Sequence, residues 1–194
     1  SIEGGCLWRM GRPADARDAH LASLALRERI QDLIGIGSSH NNLSQAYRDL
    51  GEWSKAMEHC RQALETYRKT GDQSRTATAQ LNLGAILTDL GSFDAARDAY
   101  EEALEICRRI RYTARLGVIL CNLGEIETRQ GRPEAALAHL EEGIAILEGI
   151  SNQEALIQAY LILSEAHLKR GAIAEAWEIL HKAHDRASAR GNEV

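Results

Sequence analysis

Residues 81–104 read LNLGAILTDLGSFDAARDAYEEAL, and the pattern of this stretch recurs at a spacing of forty residues. An Asn-Leu pair, a glycine, an alanine and a small-aliphatic pair take the same positions in the copies that start near residues 42 and 122. Five glycines keep this spacing without a slip: Gly11, Gly51, Gly91, Gly131 and Gly171. A fixed period of this size indicates a repeat architecture, in which neighbouring repeats bury one another's apolar surface.

Each period splits into two predicted helices. In the first helix of one copy, apolar or small residues recur at helical spacing as far as Leu90, and Gly91 then supplies the left-handed turn that ends helices. The second helix is predicted over residues 93–110. The only two prolines, Pro13 and Pro133, share one repeat position, and proline is tolerated in the first turn of a helix. They therefore mark the starts of second helices.

Two repeat positions hold only small residues. A residue that is always small indicates that two helix axes approach closely, so we expect the two positions to face each other within each helix pair. The first position is alanine throughout, at Ala16, Ala56, Ala96, Ala136 and Ala176. The second is glycine or serine, at Gly4, Ser44, Gly84, Gly124 and Ser164.

Composition limits the classes of partner. The 194-residue chain carries a formal charge of −5, which argues against a general nucleic-acid binder. It has no apolar run long enough to span a bilayer and no secretory leader, so we expect a cytoplasmic protein with no membrane partner. The cysteines form no CxxC pair, and we expect them to be reduced thiols rather than disulfides or metal ligands. They are Cys6, Cys60, Cys107 and Cys121.

The repeat positions resemble those of the tetratricopeptide repeat (TPR). The matching residues in one copy are Leu83-Gly84, Leu87, Gly91, Ala96 and Ala103-Leu104. The period is forty rather than about thirty-four residues, and the proline that usually closes each repeat is absent. Longer repeats of this kind are similar to those of kinesin light chain, Pins-type adaptors and bacterial TPR regulators.

The resemblance implies an all-α fold, a right-handed superhelical solenoid of antiparallel helix pairs. We expect a single TPR domain over residues 1–194, cut from a larger protein. Its predicted parts are a partial first repeat over 1–30 and full repeats over 31–70, 71–110, 111–150 and 151–190.

In this family the first helices line a concave groove, and the register assigns groove residues to this chain. Asn42, Asn82 and Asn122 recur at one groove position, where asparagine is not favoured by helix propensity. Since an amide both donates and accepts, a ladder of three would hold the main chain of a peptide. Alternatively, each asparagine bonds a neighbouring helix. The other predicted groove residues are Asn41, Gln45, Arg48, Thr78, Leu81, Glu125, Arg129, Gln158, Ile162 and Glu165.

Other functions find little support in the sequence. The positions at which chaperone-binding relatives clamp a terminal carboxylate lack cations here, which argues against that ligand. His181 and His184 could share a helix face, but a metal site needs further ligands, so we expect no metal. Cys121 has no histidine on its helix face to activate it, and no phosphate-binding loop follows the glycines. We therefore expect neither catalytic residues nor a cofactor.

The sequence favours a non-catalytic scaffold that binds a protein or peptide segment in its concave groove. The alternative is a ligand- or peptide-sensing regulatory domain of a larger bacterial signalling or transcription-regulator protein. Self-association is a third hypothesis, because apolar residues near both ends lack the polar face of a terminal repeat. These residues are Trp8, Met10, Trp177 and Leu180.

Overall fold

The computed structural model describes residues 2–191, and within them it contains helices and turns but no β-strand. The predicted all-α fold of successive helix pairs is confirmed. The helices are α1 (Ile2–Arg9), α2 (Pro13–Arg29), α3 (Leu33–Asp49), α4 (Trp53–Thr70), α5 (Gln73–Asp89), α6 (Phe93–Ile110), α7 (Thr113–Arg129), α8 (Pro133–Gly149), α9 (Gln153–Lys169) and α10 (Ile173–Gly191).

The chain divides into two compact units, residues 1–106 and 107–194. In unit 1, α3 packs on α2 and α4, α4 packs on α5, and α3 also touches α5. In unit 2, α7 packs on α8, α9 packs on both α8 and α10, and α7 touches α9. First helices therefore lie beside both their own second helix and the next first helix.

Glycine ends the first helix of every pair. The five glycines of the forty-residue period all have φ between 69° and 82°, a conformation that costs other residues more. The junctions between repeats do not require glycine. Gly71 has the same left-handed conformation there as Gln31, Arg111 and Ser151 have at the other junctions. Three of the following helices begin at a capping side chain that accepts a backbone N–H three residues on: Asp32, Asp72 and Asn152.

The glycine-serine position sets how closely the two helices of a pair approach. A Cβ at Gly124 would lie 2.6 Å from Cγ of Leu140 and 3.1 Å from the carbonyl oxygen of Ala136. A Cβ at Gly84 would overlap the ring of Tyr100 in the same way. Where serine replaces glycine, Ser164 donates to the carbonyl oxygen of Ala176. The predicted facing of the two small positions is confirmed.

One predicted core residue is exposed instead. Helix α5 ends at Asp89, and Leu90 caps it with 44 % of its surface exposed. The prediction from helical spacing wrongly included Leu90 in the apolar face of α5, because the chain already turns toward Gly91 at this residue. The second helix of this pair has the predicted bounds, Phe93–Ile110.

Gly84→Ala should lower the free energy of unfolding by about 1–3 kcal/mol, because the added methyl group overlaps the buried Tyr100 ring. The matched control is Gly149→Ala, at the end of α8, where a Cβ meets no atom within 4 Å. Alanine there should be neutral or stabilising, since it favours helix. Urea unfolding of both variants is the measurement, and equal stability of the two would contradict the packing role of Gly84.

Candidate functional site

The polar side chains of two neighbouring first helices form one surface in unit 1. We call it the amide face, and it consists of Ser38, Asn41, Asn42, Gln45 and Arg48 on α3 with Thr78 and Asn82 on α5. Three clefts open on this surface or at its border. The structure thus brings together all predicted groove residues of unit 1 except Leu81.

The structure corrects the prediction that Leu81 lines the groove. It is only 4 % exposed and belongs to the core of unit 1. Its position on α5 serves helix packing, so its side chain presents almost no surface to a ligand. Cys121 is likewise buried, and burial raises the pKa of its thiol to about 12. Such a thiol stays protonated near neutral pH.

The amide face contains a hydrogen bond between successive first helices. Nδ2 of Asn82 donates to Oδ1 of Asn41 across 2.9 Å, and Asn41 is only 9 % exposed. The alternative in which an asparagine bonds a neighbouring helix is therefore present at Asn82. The amide keeps one N–H and its own oxygen for a further partner. Its role in ligand binding stays a prediction.

An ion pair joins the same two helices further along. Nε of Arg48 donates to Oδ2 of Asp89 across 2.6 Å. Burial alone would lower the pKa of Arg48, but the hydrogen bond to Asp89 raises it above its ordinary value. Arg75, at the edge of the face, is paired with Asp72. The positive charges on this surface are thus neutralised by adjacent carboxylates.

Asn42 and Gln45 differ from these paired groups. Both side chains are half-buried and make no hydrogen bond to any residue in the described range 2–191. Asn42 borders two clefts, one with Gln45 and one with Asn41. Each amide offers donors and an acceptor to an incoming group. These two residues are the open hydrogen-bonding positions of the amide face.

The predicted groove residues of unit 2 are more exposed, and their charges are paired. Arg129 bonds Glu125 at 2.7 Å within α7. Lys169 contacts Glu165 at 3.1 Å and donates to the carbonyl oxygen of Thr128 at 2.8 Å, which links α9 to α7. Asn122 and Ile162 are half-buried and Gln158 is exposed. Asn122 has no hydrogen-bond partner in the described part of unit 2.

The structure also assembles a histidine pair that spacing alone did not indicate. Nδ1 of His40 lies 2.9 Å from Nδ1 of His59, and Tyr47 stacks on His59 with ring centroids 5.2 Å apart. Burial lowers the pKa of both histidines. One ring donates and the other accepts, so at least one imidazole is neutral. To predict this pair from the sequence, one would have to know which faces of α3 and α4 pack against each other.

No cluster of three or more His, Cys, Asp or Glu side chains suited to a metal ion occurs within the described residues. His181 instead packs edge-on against Trp177, with ring centroids 5.0 Å apart. None of the helices described here combines the length and apolar character that crossing a lipid bilayer requires.

Comparison with known families identifies the repeat. The sequence model described as the tetratricopeptide repeat matches residues 3–69 and 75–149. The chain belongs to this family. None of the curated proteins matches the sequence of this TPR protein.

Solved structures share the TPR fold at low sequence identity. BtubC (BKLC) from P. vanneervenii is 22 % identical, with a TM-score of 0.79 over 97 % of this chain and 78 % of its own. The repeats of a putative kinesin light chain from Podosopora anserina are 17 % identical, with a TM-score of 0.71 over 97 % and 93 %.

A third similar structure contains a bound peptide. The Rap conjugation gene regulator of the plasmid pLS20, in complex with the Phr* peptide, is 18 % identical, with a TM-score of 0.84. The match covers 97 % of this chain and 52 % of the regulator. The chain therefore spans about half the length of that protein.

Asn82→Ala should lower the free energy of unfolding by about 1–2 kcal/mol, because it leaves the buried Asn41 amide without its partner. Asn122→Ala is the matched control at the same repeat position and should cost less than about 0.5 kcal/mol. Denaturant unfolding measures both.

The double variant Asn41→Leu/Asn82→Ala should recover most of the loss, since leucine occupies the equivalent of position 41 at Leu81 and Leu161. Equal destabilisation by Asn82→Ala and Asn122→Ala would show that the bond to Asn41 contributes nothing.

Proposed function

We propose that this TPR protein is a non-catalytic scaffold that binds an extended peptide or protein segment along its first helices, with the amide face as the main contact. The observation that supports this proposal most directly concerns the side-chain amides of Asn42 and Gln45. They make no hydrogen bond to any described residue, and they lie on a surface whose charges are already neutralised. A peptide main chain offers one N–H and one C=O per residue, and these are the groups that side-chain amides bind.

The paired charges define the class of segment. Arg48 is bound to Asp89, so a carboxylate on the ligand would have to compete with an existing ion pair. A ligand recognised through its neutral main chain meets no such competition. The groove residues predicted in unit 2 also have paired charges, at Glu125 and Glu165. We accordingly expect weak dependence of affinity on salt.

Selection of random dodecapeptides on the immobilised protein should yield binders whose affinity falls at least tenfold in the double variant Asn42→Ala/Gln45→Ala. Each lost hydrogen bond to a desolvated peptide group is worth about 1 kcal/mol. The control is Glu101→Ala, an exposed position on the second helix α6, which should leave affinity unchanged. Circular dichroism confirms that each variant is folded.

Two outcomes would overturn this proposal. One is a selected peptide that binds the amide variant as tightly as the parent protein. The other is a peptide whose affinity falls in the Glu101 variant and not in the amide variant. Isothermal titration calorimetry at two salt concentrations gives the affinities and their salt dependence together.

A regulatory domain of a larger bacterial protein is the second candidate. It is favoured by the similarity to the Rap conjugation gene regulator, whose structure holds a peptide and extends well beyond the matched part. A natural gene that encodes an adjoining effector domain would support this candidate, and a gene that encodes only repeats would count against it. We also propose that the protein acts in the cytoplasm.

Self-association is a further proposal, and it is supported by an apolar face on α10. Trp177 is 62 % exposed and Leu180 is 39 % exposed, whereas residues at the equivalent of Leu180 in earlier repeats are almost fully buried. Met10 is also exposed, and the side chain of Trp8 lies outside the described residues. We expect the mass measured by light scattering to rise with concentration, and Trp177→Glu to reduce that rise. A constant monomer mass would contradict it.

A further inference from the structure

A cleft in unit 1 lies between α1, α2 and α3 at the border of the amide face. It has a volume of about 180 Å³. Its walls are small residues and its polar groups are two amides and one imidazole. The lining residues are Gly5, Ala16, His20, Asn42, Gln45 and Ala46.

The repeat provides an internal comparison for this cleft. One period later, Gln45 replaces Gly5 and Ile86 replaces Ala46. The cleft at that position, bordered by Gln45, Asn82 and Ile86 among others, has a volume of only about 10 Å³. The larger opening therefore results from two small side chains, and the forty-residue period alone does not create it.

The lining residues that the structure describes are uncharged at neutral pH. None of the six described lining residues is acidic, and His20 is only 3 % exposed. Burial, assisted by nearby positive charges that include Arg27, lowers the pKa of His20 to about 4. A charged group that entered the cleft would lose its hydration without contacting a counter-charge among the described lining residues, which is unfavourable. Asn42 and Gln45 can still satisfy a neutral polar group.

We propose that this cleft is a specificity pocket that receives one uncharged side chain, of leucine to tyrosine size, from the bound segment. A volume of about 180 Å³ is more than ten times the roughly 10–15 Å³ that one water molecule needs by the same measure, which leaves room for a side chain of this size. The small walls admit the side chain, and the two amides bind its polar edge or the adjoining main chain. The inference rests on the proposed function, since its occupant is part of the peptide.

The test uses small probes in place of an unidentified peptide. p-Cresol represents an uncharged tyrosine side chain, and benzylammonium and benzoate are charged molecules of similar size. Titration of the ¹⁵N-labelled full chain with p-cresol should give saturable shifts of the side-chain amide signals of Asn42 and Gln45. The charged probes should bind at least tenfold more weakly.

Ala46→Ile reproduces the residue found one period later and should weaken p-cresol binding at least tenfold. Ala85→Ile adds the same bulk to α5 outside the cleft and is the matched control. Should Ala46→Ile disturb folding, Gly5→Gln fills the cleft from α1, where a Cβ meets no atom within 4 Å. Thermal unfolding shows which variant is to be used.

Several results would overturn the pocket. These are p-cresol binding that survives the filled cleft, charged probes that bind equally well, or no saturable shift at all. A selected peptide whose affinity is unchanged by the filled cleft overturns the pocket alone. Bound p-cresol in a protein that selects no peptide overturns the proposed function, and with it the side chain as the occupant.

Discussion

The close approach of two helices within each pair is the constraint on which the rest of the structure depends. Gly84 and Gly124 have no side chain, and the space beside each of them is filled by a large side chain sixteen residues later, Tyr100 or Leu140. Gly4 stands in the same relation to His20, whose Cε1 would lie 2.5 Å from a Cβ at Gly4. Where the later residue is small, as at Cys60, the first helix carries serine instead. The fifth pair departs from this trend, because Ser164 is followed sixteen residues later by Leu180, which is 39 % exposed.

This packing leaves the outer face of each first helix free to differ between repeats. Contacts between successive first helices link residues forty-one positions apart, as in Asn41 with Asn82, Arg48 with Asp89, and Thr128 with Lys169. They neutralise or satisfy most polar groups along that face. Only a few side chains on this face keep unused hydrogen-bonding groups. These side chains define the proposed binding surface.

Much of the fold is predictable from the sequence because it follows from backbone geometry. The period glycines adopt the left-handed conformation, and α6 has the bounds that the pattern predicts. Contacts across helices are harder to predict. The Asn41–Asn82 bond depends on an offset of one residue from the period, and spacing alone gives no reason to expect it. The burial of Leu81 has the same origin, since one helix position can serve either a groove or a core.

The cleft at Ala46 could have been suspected by comparing each repeat with the next, since both Gly5 and Ala46 are smaller than their counterparts. The neutral state of His20 could not have been predicted in this way, because its lowered pKa depends on burial in the folded chain.

The sixteen-residue separation between Gly84 and Tyr100 also bears on how the chain folds. Contacts so close in sequence require closure of only a short loop, and the entropy lost on closure grows with loop length. Folding can then begin in any helix pair and spread to its neighbours, as in other repeat proteins. Local contacts of this kind are typical of rapidly folding helical proteins. The contact that sets the distance between two helices is thus also one that forms at a low cost in chain entropy.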